Sequence, residues 1–327
     1  MQDLPFVSIV IPVRNEERIL GRCLASIADL DYPQDRVEVI VADSLSTDGS
    51  RAIAWRHGAK VVPNPGQTVV SGRNRGMEAA RGDFIAFTDA DCVVSRHWLR
   101  AGLAAFAPGI AGVGGVTLFP KDATAFQKAV NVLFLLAGFA GATAHRQSAG
   151  YTREVADIPG CNAIYRRSAL EQVMPLDEDL LTAEDVWLNW MLRRRGFRHM
   201  LAENMILWHH RRSRPASFAR QMYRFAIGRL QVGRRSLSLL GPLHILAGAS
   251  LPLLAGGLAL AVAHGFGGFA AGALLLAGAA TLFVGMRRTG SLRAGCCVPP
   301  VLGLFLASWS AGFLRELCFP LKRVDGK

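Results

Sequence analysis

Phe84-Ile85-Ala86-Phe87-Thr88-Asp89-Ala90-Asp91 is a short apolar run closed by two carboxylates one residue apart. The run has the length and composition of a buried strand. The carboxyl end of such a strand is where an open α/β sheet binds its ligand. Carboxylate oxygens there suit a hard divalent cation set against a diphosphate, with no dedicated protein cage. A second acidic pair, Glu184-Asp185, comes much later in the chain and can take a proton from an attacking hydroxyl. An Asp-x-Asp triplet alone occurs in many loops, so the reading depends on what flanks it.

The flanks agree. Val7-Ser8-Ile9-Val10-Ile11 reads as a first strand stopped at Pro12, and Glu16 to Leu30 as a helix with Ile19, Leu20, Leu24 and Ile27 on one face. Val37 to Val41 is a second strand ending at Asp43. Thr47-Asp48-Gly49-Ser50 opens a second helix, Lys60-Val61-Val62 is a third strand, and Ser71 to Ala80 a third helix. Strands alternating with helices at this spacing predict an α/β fold with a doubly wound, mostly parallel sheet. Arg14, Asp43 and Asp89 would gather at the carboxyl ends of its strands. Past Trp98 the pattern loosens. Gly112 to Leu118 and Cys161 to Tyr165 are strand candidates, and Phe126 to Ala144 reads as a core or interfacial helix. Glu184 to Arg195 reads as a helix that Gly196 terminates.

The 327 residues carry a net charge of +12, enough chain for one large domain and a further region. That region is apolar: no charged residue occurs between Arg235 and Arg287. About 20 apolar residues cross a bilayer, so two spans are expected at 242–262 and 267–286, with His264 at the turn. The stretch 295–314, which contains Pro299-Pro300, reads as a third span or as a re-entrant or interfacial segment. A full crossing would put Arg315, Lys322, Arg323 and Lys327 opposite Arg287, Arg288 and Arg293, against the positive-inside tendency. The basic excess is concentrated between Arg193 and Arg235. Its place before the first span favours anionic lipid headgroups of the cytoplasmic leaflet over nucleic acid. Pro215 to Gln231 sets Phe218, Met222 and Phe225 on one face, as in an interfacial helix. The expected organisation is a cytosolic domain at 1–210, a basic amphipathic region at 211–241 and a transmembrane region at 242–327. The six cysteines show no metal-ligand spacing and read as reduced thiols of a cytosolic domain; Met1 to Pro5 leads into a strand with no signal peptide.

Taken in order, Ser8-Ile9-Val10-Ile11-Pro12-Val13-Arg14-Asn15-Glu16, Asp43 with Ser46-Thr47-Asp48-Gly49-Ser50, Gly72-Arg73-Asn74-Arg75-Gly76, Thr88-Asp89-Ala90-Asp91 and Glu184-Asp185 resemble the family-2 inverting glycosyltransferases. The resemblance covers roughly residues 6–235. It implies the GT-A fold, a nucleotide-sugar donor and inversion at the anomeric carbon. It also implies that Asp43 accepts a hydrogen bond from the base, usually uracil, that Pro12, Arg14 and Glu16 line base and ribose, and that Arg73 lies near the nucleotide. Asp89 would contact the ribose or the metal shell, and Asp91 would ligate Mg²⁺ or Mn²⁺. Gly160 and Asn162 would border the sugar and acceptor pocket, and Asp185 would be the general base with Glu184 beside it. Two departures stand out. Ser44-Leu45 follows Asp43 where the family often has a second acid and a glycine. Gln221-Met222-Tyr223-Arg224-Phe225 is similar to a Gln-x-x-Arg-Trp motif of membrane polysaccharide synthases, with Phe in place of Trp. There Arg224 would meet the diphosphate and Gln221 the acceptor, or both are simply positions on an interfacial helix. His209-His210 reads as structural.

The function this predicts is a multi-pass inner-membrane transferase with a cytoplasmic catalytic domain, similar to succinoglycan-type exopolysaccharide glucosyltransferases. It would move a sugar from a nucleotide diphosphate, in the first instance UDP, to a polyprenyl-diphosphate-linked saccharide in exopolysaccharide or envelope glycan synthesis. The alternatives are a polyprenyl-monophosphate sugar transferase and an inactive donor-binding scaffold of an export complex. A processive synthase fits less well, since a secretion channel needs more crossings. The scaffold predicts lost acidic residues, yet Asp43, Asp89, Asp91 and Asp185 are all present.

Overall fold

The computed structural model describes residues 4–137, 151–211 and 213–321. The chain divides into two compact units, Met1–Pro120 with Gly141–His210, and Lys121–Ala140 with Arg211–Lys327.

The first unit opens with β1 (Val7–Val13), α1 (Leu20–Ala28), β2 (Val37–Asp43), α2 (Ser50–Arg56), β3 (Lys60–Pro63), α3 (Val69–Ala79) and β4 (Phe84–Thr88). It continues through β5 (Cys92–Val94), α4 (Trp98–Leu103) and β6 (Ile110–Leu118). The chain leaves it for α5 (Ala125–Ala137) of the second unit, then returns with β7 (Arg153–Val155), β8 (Asn162–Arg166), α6 (Arg167–Leu170), α7 (Glu184–Arg194) and β9 (Arg198–His209). One sheet runs β3-β2-β1-β4-β8-β6-β9-β5, with β7 paired to β9. The first four strands pair in parallel. β1 lies mid-sheet and is buried almost throughout, which is why it reads as an unbroken apolar run. It does not stop at Pro12 but continues to Val13 against β2. On its other side the pairing with β4 ends at Val10, so the missing proline N–H interrupts no ladder there. α3 lies close enough to β1 that a Cβ at Gly76 would collide with Val10.

Beyond β4 the sheet becomes mixed. β8 is antiparallel to both β4 and β6, and β9 is parallel to β6 but antiparallel to β5 and β7. This reversal brings the start of β8 and the end of β9 to the same edge as the carboxyl end of β4, where Thr88 pairs with Asn162 and Cys92 with His209.

His199, inside β9, is fully buried with its ring edge-on to Tyr165. Burial, and then the nearby Arg193, push its imidazole down to about 4. Unfolded histidine titrates near 6.5, so between these values the unfolded chain binds more protons and stability falls as pH falls. From pH 7 to pH 5 this costs about 2 kcal/mol. Chemical denaturation of the detergent-solubilised protein is expected to show that slope, and His199→Gln to lose it. An unchanged slope in the variant would remove His199 as its origin.

The second unit holds α5 with α8 (Pro215–Arg235), α9 (Pro242–Gly248), α10 (Ser250–Ala263), α11 (Gly267–Thr289) and α12 (Leu292–Cys318). Residues 121–140, expected within the first domain, thus belong here, because the apolar face of α5 joins a separate core. Val130, Phe134, Phe218, Met222, Phe305 and Trp309 are buried in it. The expected helix at 126–144 is seen as far as Ala137; residues 138–150, with Arg146, lie outside the described residues. α8 buries Phe218 and Met222, but Phe225, expected on the same face, is 36% exposed. Arg211 lies over the Phe134 ring, and Arg234 donates to the buried Glu316 at 2.8 Å. Part of the basic excess is therefore consumed inside this unit.

α11 and α12 are each long and apolar enough to cross a membrane. The stretch expected to span at 242–262 is two helices bent by 57°, together apolar and long enough for a broken span or a re-entrant loop. Pro252 supplies the cause: it has no N–H for the Gly248 carbonyl, and its ring clashes with that carbonyl in a straight helix. Conversely 295–314, left open in the sequence, lies within one 27-residue helix despite Pro299-Pro300. Lys322, Arg323 and Lys327 lie outside the described residues, as does Arg212.

Candidate active site

The strand order turns back between β1 and β4, and the crevice at their carboxyl ends is where a doubly wound sheet takes a ligand. Two loops form one wall. Asn15 after β1 and Leu45 after β2 both adopt left-handed backbone, at φ 54° and 57°. Asn15 tolerates it, whereas Leu45 stands in the place of a glycine and carries steric strain. The loops are sewn together: Asn15 donates its N–H to Ser46 Oγ at 3.0 Å and accepts the Thr47 N–H at 2.8 Å, and Glu17 takes the Gly49 N–H at 2.8 Å. Asp43, 1% exposed, accepts Arg51 Nε at 2.5 Å and the Ser46 N–H. Pro12 and Glu16 are half-buried beside it, and Arg14 is exposed.

Asp89 and Asp91 follow β4 directly. Their carboxylates and His209 place one donor atom each within 4.8 Å of the others, with His209 Nε2 3.2 Å from Asp91 Oδ1. The Asp91 and His209 side chains keep 15% and 12% exposure, and Asp89 keeps 35%. Burial, then Cys161 and Asp91, lift the Asp89 carboxyl to about 7 against the pull of Arg73 and His209. Burial would depress the His209 imidazole, but Asp91 and Cys161 reverse this and raise it to about 9. Two carboxylates and an imidazole are a donor set for a hard or borderline divalent cation.

Arg73, on α3, ties this cluster to the later acidic pair. It is 3% exposed, with Nη1 2.6 Å from Glu184 and Nη2 3.8 Å from Asp89, and its guanidinium lies over Phe87. Burial alone would lower the Arg73 pKa; Glu184, Asp89 and Asp185 raise it instead. Burial raises the Glu184 carboxyl, which Arg73 holds down and Asp185 pushes up. Arg73 Nε has no hydrogen-bond partner among the described residues. Gly160 makes room for this side chain, since a Cβ there would lie 2.5 Å from Arg73 Nη1.

Glu184 and Asp185 open α7, where the helix dipole favours carboxylates, directly after Ala183 in left-handed backbone at φ 65°. Asn189 fixes the helix by accepting from Tyr165 at 2.8 Å and donating to the Ile158 carbonyl at 2.9 Å. Asp185 Oδ2 accepts the Gly160 N–H at 3.1 Å. Asp185 therefore shares one region with the Asp91 cluster, linked through Arg73 and through Gly160-Cys161.

Asn162 is placed differently from the expectation. It is fully buried, with Trp98 Nε1 donating to its Oδ1 at 2.8 Å and its Nδ2 donating to the Val116 carbonyl at 3.1 Å. Its amide braces the sheet beneath the site, and a pocket-lining role does not fit. Gln221 and Arg224 sit on α8 in the other unit, half-buried and exposed respectively. His209, read as structural, is brought to Asp91. Only its position at the end of an apolar strand could have signalled this, and the signal requires knowing that β9 is laid beside β5.

Residues 8–174 match the glycosyl transferase family 2 model, a span that contains the crevice and the Asp89–Asp91 turn. The chain belongs to glycosyl transferase family 2. Among curated family members, glycosyltransferase AglE of Haloferax volcanii is 28% identical over 239 residues, covering 70% of this chain and 74% of that protein. A Methanococcus voltae dolichyl N-acetyl-α-D-glucosaminyl phosphate diacetamido-dideoxy-glucuronosyltransferase is 24% identical over 230 residues, covering 66% and 70%. The solved mannosyltransferase PcManGT of Pyrobaculum calidifontis, in complex with GDP-Man and Mn²⁺, superposes with a TM-score of 0.69 over 97% of this chain and 88% of that one, at 22% identity. That likeness establishes the GT-A-type mixed sheet with apolar helices after it.

Proposed function

We propose that this glycosyltransferase is a membrane-anchored, inverting enzyme that adds a single sugar from a nucleotide-diphosphate donor to a polyprenyl-linked saccharide. The observation that carries the reading is the placement of two acidic clusters, Asp89–Asp91 and Glu184–Asp185, on either side of the buried Arg73. Inversion is one displacement, which needs charge stabilisation at the leaving diphosphate and a base at the entering hydroxyl. Asp89, Asp91 and His209 would hold the cation, and the imidazole favours Mn²⁺ over Mg²⁺. Bound there, the ion would offset phosphate charge. Asp43 and the sewn loops would seat the nucleotide, with Pro12, Arg14 and Glu16 around base and ribose. Asp185, oriented by the Gly160 N–H, would take the acceptor proton.

A donor complexed with Mn²⁺ in a solved structure of the same fold, and a relative acting on a dolichyl-phosphate-linked sugar, support the donor, metal and acceptor classes. The apolar α11 and α12 and the basic stretch before them support residence at the inner membrane with the sheet domain on the cytoplasmic side. The domain bounds 1–210, 211–241 and 242–327 remain part of this reading, with 121–140 transferred to the helical unit.

The test supplies membranes containing lipid-linked intermediates with a panel of labelled nucleotide sugars and Mn²⁺, and measures product length. Addition of one residue is expected. Asp91→Asn should lose at least tenfold in metal-dependent donor affinity by titration. Long polymer, or a variant whose donor affinity responds to Mn²⁺ as the parent's does, would overturn the assignment.

A further inference from the structure

Beside the acidic cluster, and sharing His209 with it, lies a second donor set whose two thiols the transfer chemistry leaves unused. Cys92 begins β5, Cys161 precedes β8 by one residue, and His209 ends β9. Their donor atoms all lie within 4.8 Å of one another. Cys161 Sγ is 4.0 Å from His209 Nδ1, and Cys92 Sγ is 3.9 Å from Asp91 Oδ1. The other ring nitrogen, Nε2, is the one facing Asp91 at 3.2 Å. A single imidazole thus stands between sulfur at Nδ1 and oxygen at Nε2.

We propose that Cys92, Cys161 and His209 form a binding site for a soft or borderline divalent cation, Zn²⁺ or Cd²⁺, whose occupation inhibits sugar transfer. Two thiolates and an imidazole are donors that Zn²⁺ takes and that Mg²⁺ refuses. Tetrahedral Zn–S and Zn–N bonds set sulfur and nitrogen about 3.6 Å apart, so the observed 4.0 Å needs a movement of a few tenths of an ångström. The fourth position falls to water or to Asp91. Cys161 and His209 are partly accessible and Cys92 is buried, so the ion enters past Cys161. Binding releases the two thiol protons and the Nδ1 proton of the His209 imidazolium to solvent and changes no oxidation state.

Inhibition follows from the ring. Neutral imidazole has one lone pair. With Nδ1 on the soft ion, Nε2 carries the proton, donates to Asp91 and can no longer serve the acidic cluster. This consequence rests on the proposed cation site at Asp89, Asp91 and His209; the thiol site does not.

The experiment uses the reduced full-length protein in detergent, with Cys296 and Cys297 changed to alanine so that the adjacent thiols of α12 are silent. Cd²⁺ is titrated in metal-free buffer and read by its thiolate charge-transfer absorption. One ion per chain is expected, with at least tenfold weaker binding in Cys161→Ser and in Cys92→Ala. Asp91→Asn should keep the absorption while losing transfer. In Mn²⁺-supported transfer, one equivalent of Zn²⁺ should inhibit the parent at least tenfold and leave Cys161→Ser active. Absorption unchanged in both cysteine variants, absorption lost in Asp91→Asn, or equal Zn²⁺ inhibition of Cys161→Ser would each overturn the site. Cysteine-dependent Cd²⁺ binding in a protein that transfers no sugar from any donor would uphold the thiol site and refute the transfer reading instead.

Discussion

Asp185→Asn is expected to abolish sugar transfer while leaving donor binding intact. Removing a positioned base costs between about a hundredfold and ten-thousandfold in rate. Glu184, the adjacent carboxylate, is committed to Arg73 at 2.6 Å. Asparagine keeps the shape and can still accept the Gly160 N–H through its amide oxygen, so the loop should hold its place. The measurement pairs turnover under saturating donor with direct titration of the donor. A fall in kcat of about a thousandfold with an unaltered donor Kd supports the assignment. Turnover within a few-fold of the parent removes Asp185 from its role.

Arg73→Met should be the most damaging single change to the stability of the sheet domain. The guanidinium is the ion partner of a carboxylate that is itself buried, and it bridges to Asp89. Removing one side of a buried pair leaves an uncompensated charge and costs about 3–5 kcal/mol. Protonation of Glu184 relieves part of that loss, so the variant should be less damaged at low pH. The double variant Arg73→Met with Glu184→Gln should recover about 2 kcal/mol, because the stranded charge is gone. Denaturant unfolding of the four proteins closes the cycle. Additive losses would show that the pair is not coupled and that Arg73 acts through packing on Phe87 alone.

The first half of the fold was legible because its strands are local. Each apolar run from Val7 to Pro63 is followed by its own helix, and consecutive strands pair directly, β1 with β2 and β2 with β3. The second half was not, since β8 and β9 pair with strands distant in sequence and reverse direction as they do. That is also why the carboxylates were found and His209 was not. Asp89-Ala90-Asp91 is a contiguous signal, whereas the imidazole reaches it only through the β5–β9 pairing. Asn162 misled for a related reason, because its neighbour Gly160 does face the site while Asn162 points into the sheet toward Trp98. In the helical region, hydropathy marked the apolar lengths correctly. It could not show that Pro252 breaks one of them or that α12 carries two prolines without ending.

The mixed sheet divides the enzyme's inheritance unevenly. Everything from Val7 to Asp91 that would grip the nucleotide arises from one uninterrupted stretch of chain, each piece buttressed by its immediate successor. The opposite wall is assembled from fragments separated by long excursions, between β6 and β8 and between β8 and β9. The excursion between β8 and β9 carries Glu184 and Asp185, so changes there would alter the acceptor side while the stretch that would seat the nucleotide is kept. Such a scaffold can change its clientele while keeping its currency.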